Sequence, residues 1–147
     1  MTHASHIFVL PGGGYENHAE YEGEPVAEWL RGLGHSAEVL EYPVAPHRYP
    51  EALDFVRGQI VKKRSSFAGS IGVLGFSAGG HLAGHAALAP SAHRPEVPDF
   101  ALLCYPVTLM GELLSRTEPP VDAVEVPRPV GADVDLSHMP TDRRAGP

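Results

Sequence analysis

The sequence is poor in cysteine and in long apolar runs, and each shortage excludes a class of protein. Cys104 is the single cysteine of the 147 residues, so no internal disulfide can form, and a reducing cytoplasm is the expected location. No apolar run approaches the ~20 residues that span a membrane, so no membrane partner is expected. The net charge of −7 argues against nucleic acid as a partner. The chain is long enough for one domain with its own core.

Strand-like and helix-like segments alternate along the first hundred residues. The predicted strands are 7–10, 36–42, 71–75 and 100–105, and the predicted helices are 25–33, 50–64 and 78–89. In the first helix, apolar residues recur at the spacing of one helical face, namely Val26, Trp29, Leu30 and Leu33. Alternating β and α units predict an α/β fold, a three-layer α/β/α arrangement around a mostly parallel sheet. The mixed polarity of 36–42 places that strand at an edge.

The segment 75–81, Gly-Phe-Ser-Ala-Gly-Gly-His, presents Ser77 as a nucleophile. It lies between a predicted buried strand and a helix of small residues, which is the context of a G-x-S-x-G nucleophile elbow. In such a turn the serine hydroxyl stands at the C-terminal end of the sheet. The N–H of Ala78 then lies at a helix N-terminus, where an oxyanion would form.

A second glycine cluster, 11–15 (Pro-Gly-Gly-Gly-Tyr), follows the first predicted strand. Consecutive glycines let backbone N–H groups face a ligand without obstruction by side chains. A dinucleotide-binding fingerprint fails because Asn17 stands where its third glycine belongs, and a P-loop fails because no Gly-Lys-Ser/Thr follows. An oxyanion loop is the interpretation that fits Ser77.

With these motifs, the sequence resembles α/β-hydrolases of the bacterial carboxylesterase and acetyl-xylan-esterase group, related to hormone-sensitive-lipase-type esterases. Segment 11–15 resembles the family's His-Gly-Gly-Gly-aromatic loop, with proline in place of histidine. Segments 42–53 and 75–83 resemble the family's Tyr-x-x-Ala-Pro stretch and its elbow, and the likeness runs from about residue 7 to residue 107. The resemblance implies a small-molecule ester substrate and no cofactor. It also implies Ser77 as nucleophile and three backbone oxyanion donors, Gly13, Gly14 and Ala78.

The family pattern stops after the fourth predicted strand. Residues 1–116 are expected to form the N-terminal part of the hydrolase core, and 117–147 an atypical C-terminal tail with six prolines and no aromatic residue. A complete member would continue with two more βα units that deliver the acid and the histidine of the triad. The chain is therefore expected to be truncated relative to the family.

Ser77 needs a base to take its proton, and one candidate histidine lies in the tail. His138 follows Asp135, so the order Ser77, acid, histidine is kept and the two are the candidate base and acid. Their spacing is too short for residues on separate strand ends, which favours a solvent-exposed histidine. His81 is expected to be buried and hydrogen-bonded. A metal site at His81 and His85 is disfavoured, because no third ligand is evident.

Two further expectations concern surfaces. The acidic run of Glu20, Glu22, Glu24 and Glu28 is interpreted as a solvated helix face. Strand 100–105 is apolar and would have an uncovered edge, and the prolines of the tail remove the donors that a covering strand needs. The chain is therefore predicted to form a homo-oligomer.

Two functions stay open on the sequence. The first is a serine carboxylesterase that hydrolyses short-chain acyl esters through an acyl-Ser77 intermediate. The alternative is a catalytically impaired hydrolase remnant that serves as a binding or assembly module.

Overall fold

The computed structural model describes residues 4–109, which form a four-stranded parallel sheet with helices on both faces. The strands are β1 (His6–Leu10), β2 (Ser36–Val39), β3 (Ile71–Phe76) and β4 (Phe100–Cys104), and the helices are α1 (Glu24–Gly32), α2 (Glu51–Arg64) and α3 (Ala78–Leu88). Short 3₁₀ turns occupy Glu20–Glu22 and Arg94–Glu96. The strand order is β2-β1-β3-β4. The predicted α/β class is confirmed, and β2 lies at an edge of this sheet as expected.

The alternation of side chains along β1 explains the three layers. Phe8 and Leu10 belong to a buried cluster with α2 and α3, whereas Ile7 and Val9 belong to a second cluster with α1. Successive residues of a strand point to opposite faces, so one apolar strand requires cover on both sides. The sheet is therefore sandwiched between α1 on one face and α2 with α3 on the other.

Arg57, from α2, fixes the C-terminal end of α3. Its side chain is buried and donates to the carbonyl oxygens of Ala86 at 3.3 Å and Ala89 at 2.6 Å. These carbonyls belong to the end of a helix, where backbone acceptors lack partners within the helix and positive charge is favourable. Glu96 lies 3.3 Å from the same guanidinium and balances its charge.

Part of the α1 face is not covered within the described residues. The four apolar residues predicted on one face of α1 line a common groove, and two of them, Trp29 and Leu33, are 60% and 58% exposed. This apolar groove of about 710 Å³ continues along β4, where Leu102 and Leu103 are 46% and 45% exposed. Within residues 4–109, β4 forms the second edge of the sheet.

Some predictions fall outside the described residues. They are the domain boundary at residue 116, the tail 117–147, and the candidate base His138 with its acid Asp135. No helix in the described range is long and apolar enough to cross a membrane.

Candidate active site

Ser77 occupies a strained turn between β3 and α3. Its backbone has φ 51° and ψ −114°, and it stands directly before the first residue of α3. A positive φ is uncommon outside glycine, and strain of this kind is typical of functional turns. The segment after β4 holds the turn on one side, since the Ser77 N–H donates to the Cys104 carbonyl at 3.0 Å and the Val107 N–H donates to the Ser77 carbonyl at 3.1 Å.

The glycines of the elbow are required by close backbone approach. A methyl at Gly75 would lie 2.1 Å from the Gly79 carbonyl oxygen, and one at Gly79 would lie 2.0 Å from the Leu10 carbonyl oxygen. At Gly80 the neighbour is Pro106, 3.0 Å away, so this glycine accommodates the segment after β4. The glycines at these positions therefore let α3 pack closely against the ends of the strands.

The glycine loop passes next to the nucleophile. A methyl at Gly12 would lie 3.2 Å from Cβ of Ser77. The Gly12 carbonyl accepts from the Ala19 N–H at 2.8 Å, and the Gly13 carbonyl accepts from the Glu16 N–H at 3.0 Å. Because a trans peptide points its N–H opposite to its C=O, these bonds also set the directions of the Gly13 and Gly14 N–H groups. Neither of these N–H groups is engaged by a carbonyl within residues 4–109.

Tyr15 and His81 form one wall beside the turn. The Tyr15 hydroxyl lies 2.8 Å from His81 Nδ1, and the His81 and His85 rings are 4.5 Å apart. Burial raises the pKa of Tyr15, whereas burial and, to a smaller degree, His85 lower the pKa of His81. The predicted hydrogen bond of His81 is confirmed, although the side chain is half-buried rather than buried.

The described part of the chain does not bring a base to Ser77. Among the hydrogen bonds of residues 4–109, none joins Ser77 Oγ to a histidine, and His81 Nδ1 is engaged by the Tyr15 hydroxyl. His18, the other histidine close to the glycine loop, uses Nε2 to donate to the Tyr42 carbonyl at 3.0 Å. Among these residues there is also no group of three His, Cys, Asp or Glu side chains placed to hold a metal ion.

Known proteins share this arrangement over part of their length. The chain is 34% identical to an acetylxylan esterase of Xylanibacter ruminicola over 119 residues, which are 75% of this chain and 24% of that protein. It is 30% identical to the hormone-sensitive lipase of Ictidomys tridecemlineatus over 127 residues, 77% of this chain and 17% of that protein.

A solved structure agrees with both. The acetyl ester-xyloside bifunctional hydrolase of Caldicellulosiruptor lactoaceticus superimposes with a TM-score of 0.63 at 38% identity, over 74% of this chain and 46% of that chain. The chain belongs to the α/β-hydrolases related to hormone-sensitive lipase. No protein-family model matches it.

In this α/β-hydrolase one glutamate of the acidic run is a buried carboxylate. Glu22 is 6% exposed, so its interpretation as part of a solvated helix face is wrong, whereas Glu20 and Glu24 on either side are exposed. Its Oε2 accepts from the Gly12 N–H at 2.7 Å, and its Oε1 accepts from the Tyr105 hydroxyl. Contacts with Gly12 and with Tyr105, 83 residues away, leave no periodic signal in the sequence.

A separate cleft is lined in part by residues that follow the glycine loop. It has a volume of about 1240 Å³, and Asn17, His18 and Glu20 are among its lining residues. Ser77, Gly13 and Gly14 do not line it. His18 therefore lines this cleft, where its Nε2 donates to the Tyr42 carbonyl.

Proposed function

We propose that this chain is a serine carboxylesterase that hydrolyses short-chain acyl esters through an acyl-Ser77 intermediate. The observation that carries the proposal is the elbow itself. Ser77 has φ 51° immediately before α3, and the glycine loop runs beside it. The hydroxyl stands at a helix N-terminus, next to a glycine loop whose N–H directions are set by hydrogen bonds. This arrangement suits acyl transfer.

The proposed reaction has two halves. Ser77 Oγ attacks the ester carbonyl while a base takes the hydroxyl proton. The tetrahedral oxyanion is bound by three N–H groups, those of Gly13, Gly14 and Ala78, each worth ~3 kcal/mol in the transition state. The base returns its proton to the departing alcohol, which leaves an acyl-Ser77 ester. Water, deprotonated by the same base, then releases the carboxylic acid and restores the serine.

The base and acid proposed within this chain are His138 and Asp135. They are the histidine and carboxylate that keep the order of the triad after Ser77. The second candidate function is a catalytically impaired remnant that binds or assembles, in which Ser77 has no base.

The substrate class follows from the relatives. An acetylxylan esterase and an acetyl ester-xyloside hydrolase both carry acetyl esters in their names, which supports a short acyl group and a small-molecule ester for this chain. The alcohol part of the ester is left open by these names.

The deciding experiment measures hydrolysis of p-nitrophenyl acetate and p-nitrophenyl decanoate by wild type, Ser77→Ala and the exposed-serine control Ser65→Ala. We expect acetate to be hydrolysed faster than decanoate, Ser77→Ala to lose the activity and Ser65→Ala to keep it. A fluorophosphonate should add one label to wild type and to Ser65→Ala in intact-mass spectra, and none to Ser77→Ala. Equal background rates in all three, with no label, would establish the remnant instead.

We also propose that the chain pairs with a second copy through β4. The edge of β4 and the apolar groove beside it, which includes Trp29 and Leu102, are uncovered within residues 4–109. An apolar strand with free main-chain donors and acceptors readily pairs with another strand. A two-fold axis would place two β4 strands side by side.

A cytoplasmic location stays a prediction that rests on the single cysteine.

A further inference from the structure

Glu22 stands out as a buried carboxylate with no part in the reaction as written above. Its side chain is 6% exposed, and both of its oxygens are engaged. A buried carboxylate costs several kcal/mol unless hydrogen bonds compensate its lost hydration, so its partners identify what it holds. Those partners are one backbone N–H of the glycine loop and one phenol.

The first partner fixes the Gly12 residue from both sides. Glu22 Oε2 accepts from the Gly12 N–H at 2.7 Å, and the Ala19 N–H donates to the Gly12 carbonyl at 2.8 Å. The N–H of Gly13 belongs to the same peptide plane as that carbonyl. Rotation of the Gly12 backbone would therefore turn the Gly13 N–H away from its present direction.

The second partner connects Glu22 to the nucleophile. The Tyr105 hydroxyl donates to Oε1, and the residues on either side of Tyr105 include the two that bond the Ser77 backbone, Cys104 and Val107. The hydrogen bond to Glu22 raises the pKa of Tyr105 to about 12, so the phenol keeps its proton at neutral pH and stays a donor. One carboxylate thus joins the glycine loop to the segment that holds the elbow.

We propose that Glu22 is a positioning residue of the esterase, which sets the direction of the Gly13 N–H relative to Ser77. This inference rests on the proposed function. Glu22 does not contact the ester. It acts through Gly12, and Tyr105 holds the carboxylate in place.

Three variants distinguish the effect of the Glu22 carboxylate from that of the Tyr105 phenol. Glu22→Ala removes both acceptors, Glu22→Gln keeps one amide oxygen for the Gly12 N–H, and Tyr105→Phe removes only the phenol. Glu20→Ala, an exposed glutamate of the same turn, is the matched control. A displacement of about 1 Å in a group at the reacting centre can lower the rate on the order of 100-fold.

The measurement is kcat and KM for p-nitrophenyl acetate, with kcat divided by the fraction of chains that a fluorophosphonate labels at completion. We expect Glu22→Ala to lower kcat per labelled site about 100-fold with KM changed less than threefold, because the lost interaction is made in the transition state. Glu22→Gln should recover at least tenfold of that loss, and Glu20→Ala should match wild type.

Three outcomes overturn the proposal. If Glu22→Ala keeps kcat per labelled site within threefold of wild type, Glu22 has no positioning role while the esterase stands. If Glu22→Ala does not fold, Tyr105→Phe decides: it removes the phenol that holds the carboxylate in place and should lower kcat per labelled site at least threefold, so a wild-type value removes the role. If wild type itself shows neither Ser77-dependent hydrolysis nor labelling, the proposed function fails and the positioning role fails with it.

Discussion

The Tyr15 hydroxyl lies 2.8 Å from His81 Nδ1, and this contact ties the residue after the glycine loop to the second turn of α3. The phenol keeps its proton because burial raises the pKa of Tyr15, and the imidazole is neutral because burial lowers the pKa of His81. We assign Tyr15 as the donor and Nδ1 as the acceptor, which places the imidazole proton on Nε2. His81 then has no free lone pair with which to deprotonate Ser77.

His81 is therefore expected to support structure rather than catalysis. His81→Ala and Tyr15→Phe should each lower the free energy of unfolding by about 1 kcal/mol, and the double variant should lose less than the sum because both remove one hydrogen bond. Urea denaturation measures the energies, and ester hydrolysis should stay within tenfold of wild type. A folded His81→Ala with a 1000-fold lower kcat/KM would instead make His81 the base.

Gly13 and Gly14 should respond differently to an added methyl group. At Gly13, φ is 138° and the new Cβ would lie 2.1 Å from the Asn17 carbonyl oxygen, so the loop must move. At Gly14, φ is 65° and no atom of residues 4–109 lies within 4 Å of the new Cβ, so the cost among these residues is the left-handed conformation, about 1 kcal/mol. We expect Gly13→Ala to lower kcat/KM at least 100-fold and Gly14→Ala less than tenfold. The same loss in both variants would show that the substrate, rather than the loop, meets the methyl.

His138 and Asp135 are the proposed base and acid. If His138 is the base, His138→Ala should lower kcat by about 10³-fold or more at unchanged melting temperature, and Asp135→Asn should lower it in the same direction. His93→Ala, at an exposed histidine, is the control. Activity within twofold of wild type would remove His138 from the mechanism and direct the search for the base to another histidine or a second copy.

His6 should make the fold sensitive to acid. It is 2% exposed, and its pKa is lowered to about 4, mainly by burial and next by Lys63, with Glu38 acting in the opposite direction. The unfolded chain binds this proton below pH ~6.5 and the folded chain only near pH ~4, so stability is lost as the pH falls through that interval. The contribution is about 3 kcal/mol.

His6→Phe removes the titrating group and keeps a ring against Phe8 and Phe67. Urea denaturation between pH 7 and pH 4 should show a smaller loss of stability in this variant than in wild type. His93→Phe, at an exposed position, should follow the wild-type curve. If His6→Phe follows it too, His6 is not the acid-sensitive group.

Pairing through β4 predicts a light-scattering mass twice that of one chain at micromolar concentration. Leu102→Lys should shift the mass to that of one chain, because a charge would enter the apolar groove. Leu88→Lys changes a leucine that is 83% exposed at the end of α3, and it should leave the mass unchanged. A single-chain mass for wild type contradicts the pairing.

The elements and the elbow could be predicted because their causes are local in sequence. Periodicity and glycine spacing predict three successive elements: the strand 71–75, the turn at Ser77 and the small-residue helix after it. Glu22 could not be assigned in this way, because its burial depends on Gly12 and on Tyr105, and the glutamates beside it are exposed. Trp29 follows the helical period but stays exposed because no described element covers it.

The backbone angle at Ser77 also limits what nucleophile this position can evolve or be engineered to carry. At φ 51° a side chain branched at Cβ is a severe outlier, so threonine would have to rebuild the turn between β3 and α3. Cysteine has the same single Cβ substituent as serine and fits the angle equally well. A single substitution to cysteine could therefore convert the site to thiol chemistry, whereas the secondary alcohol of threonine does not fit this turn.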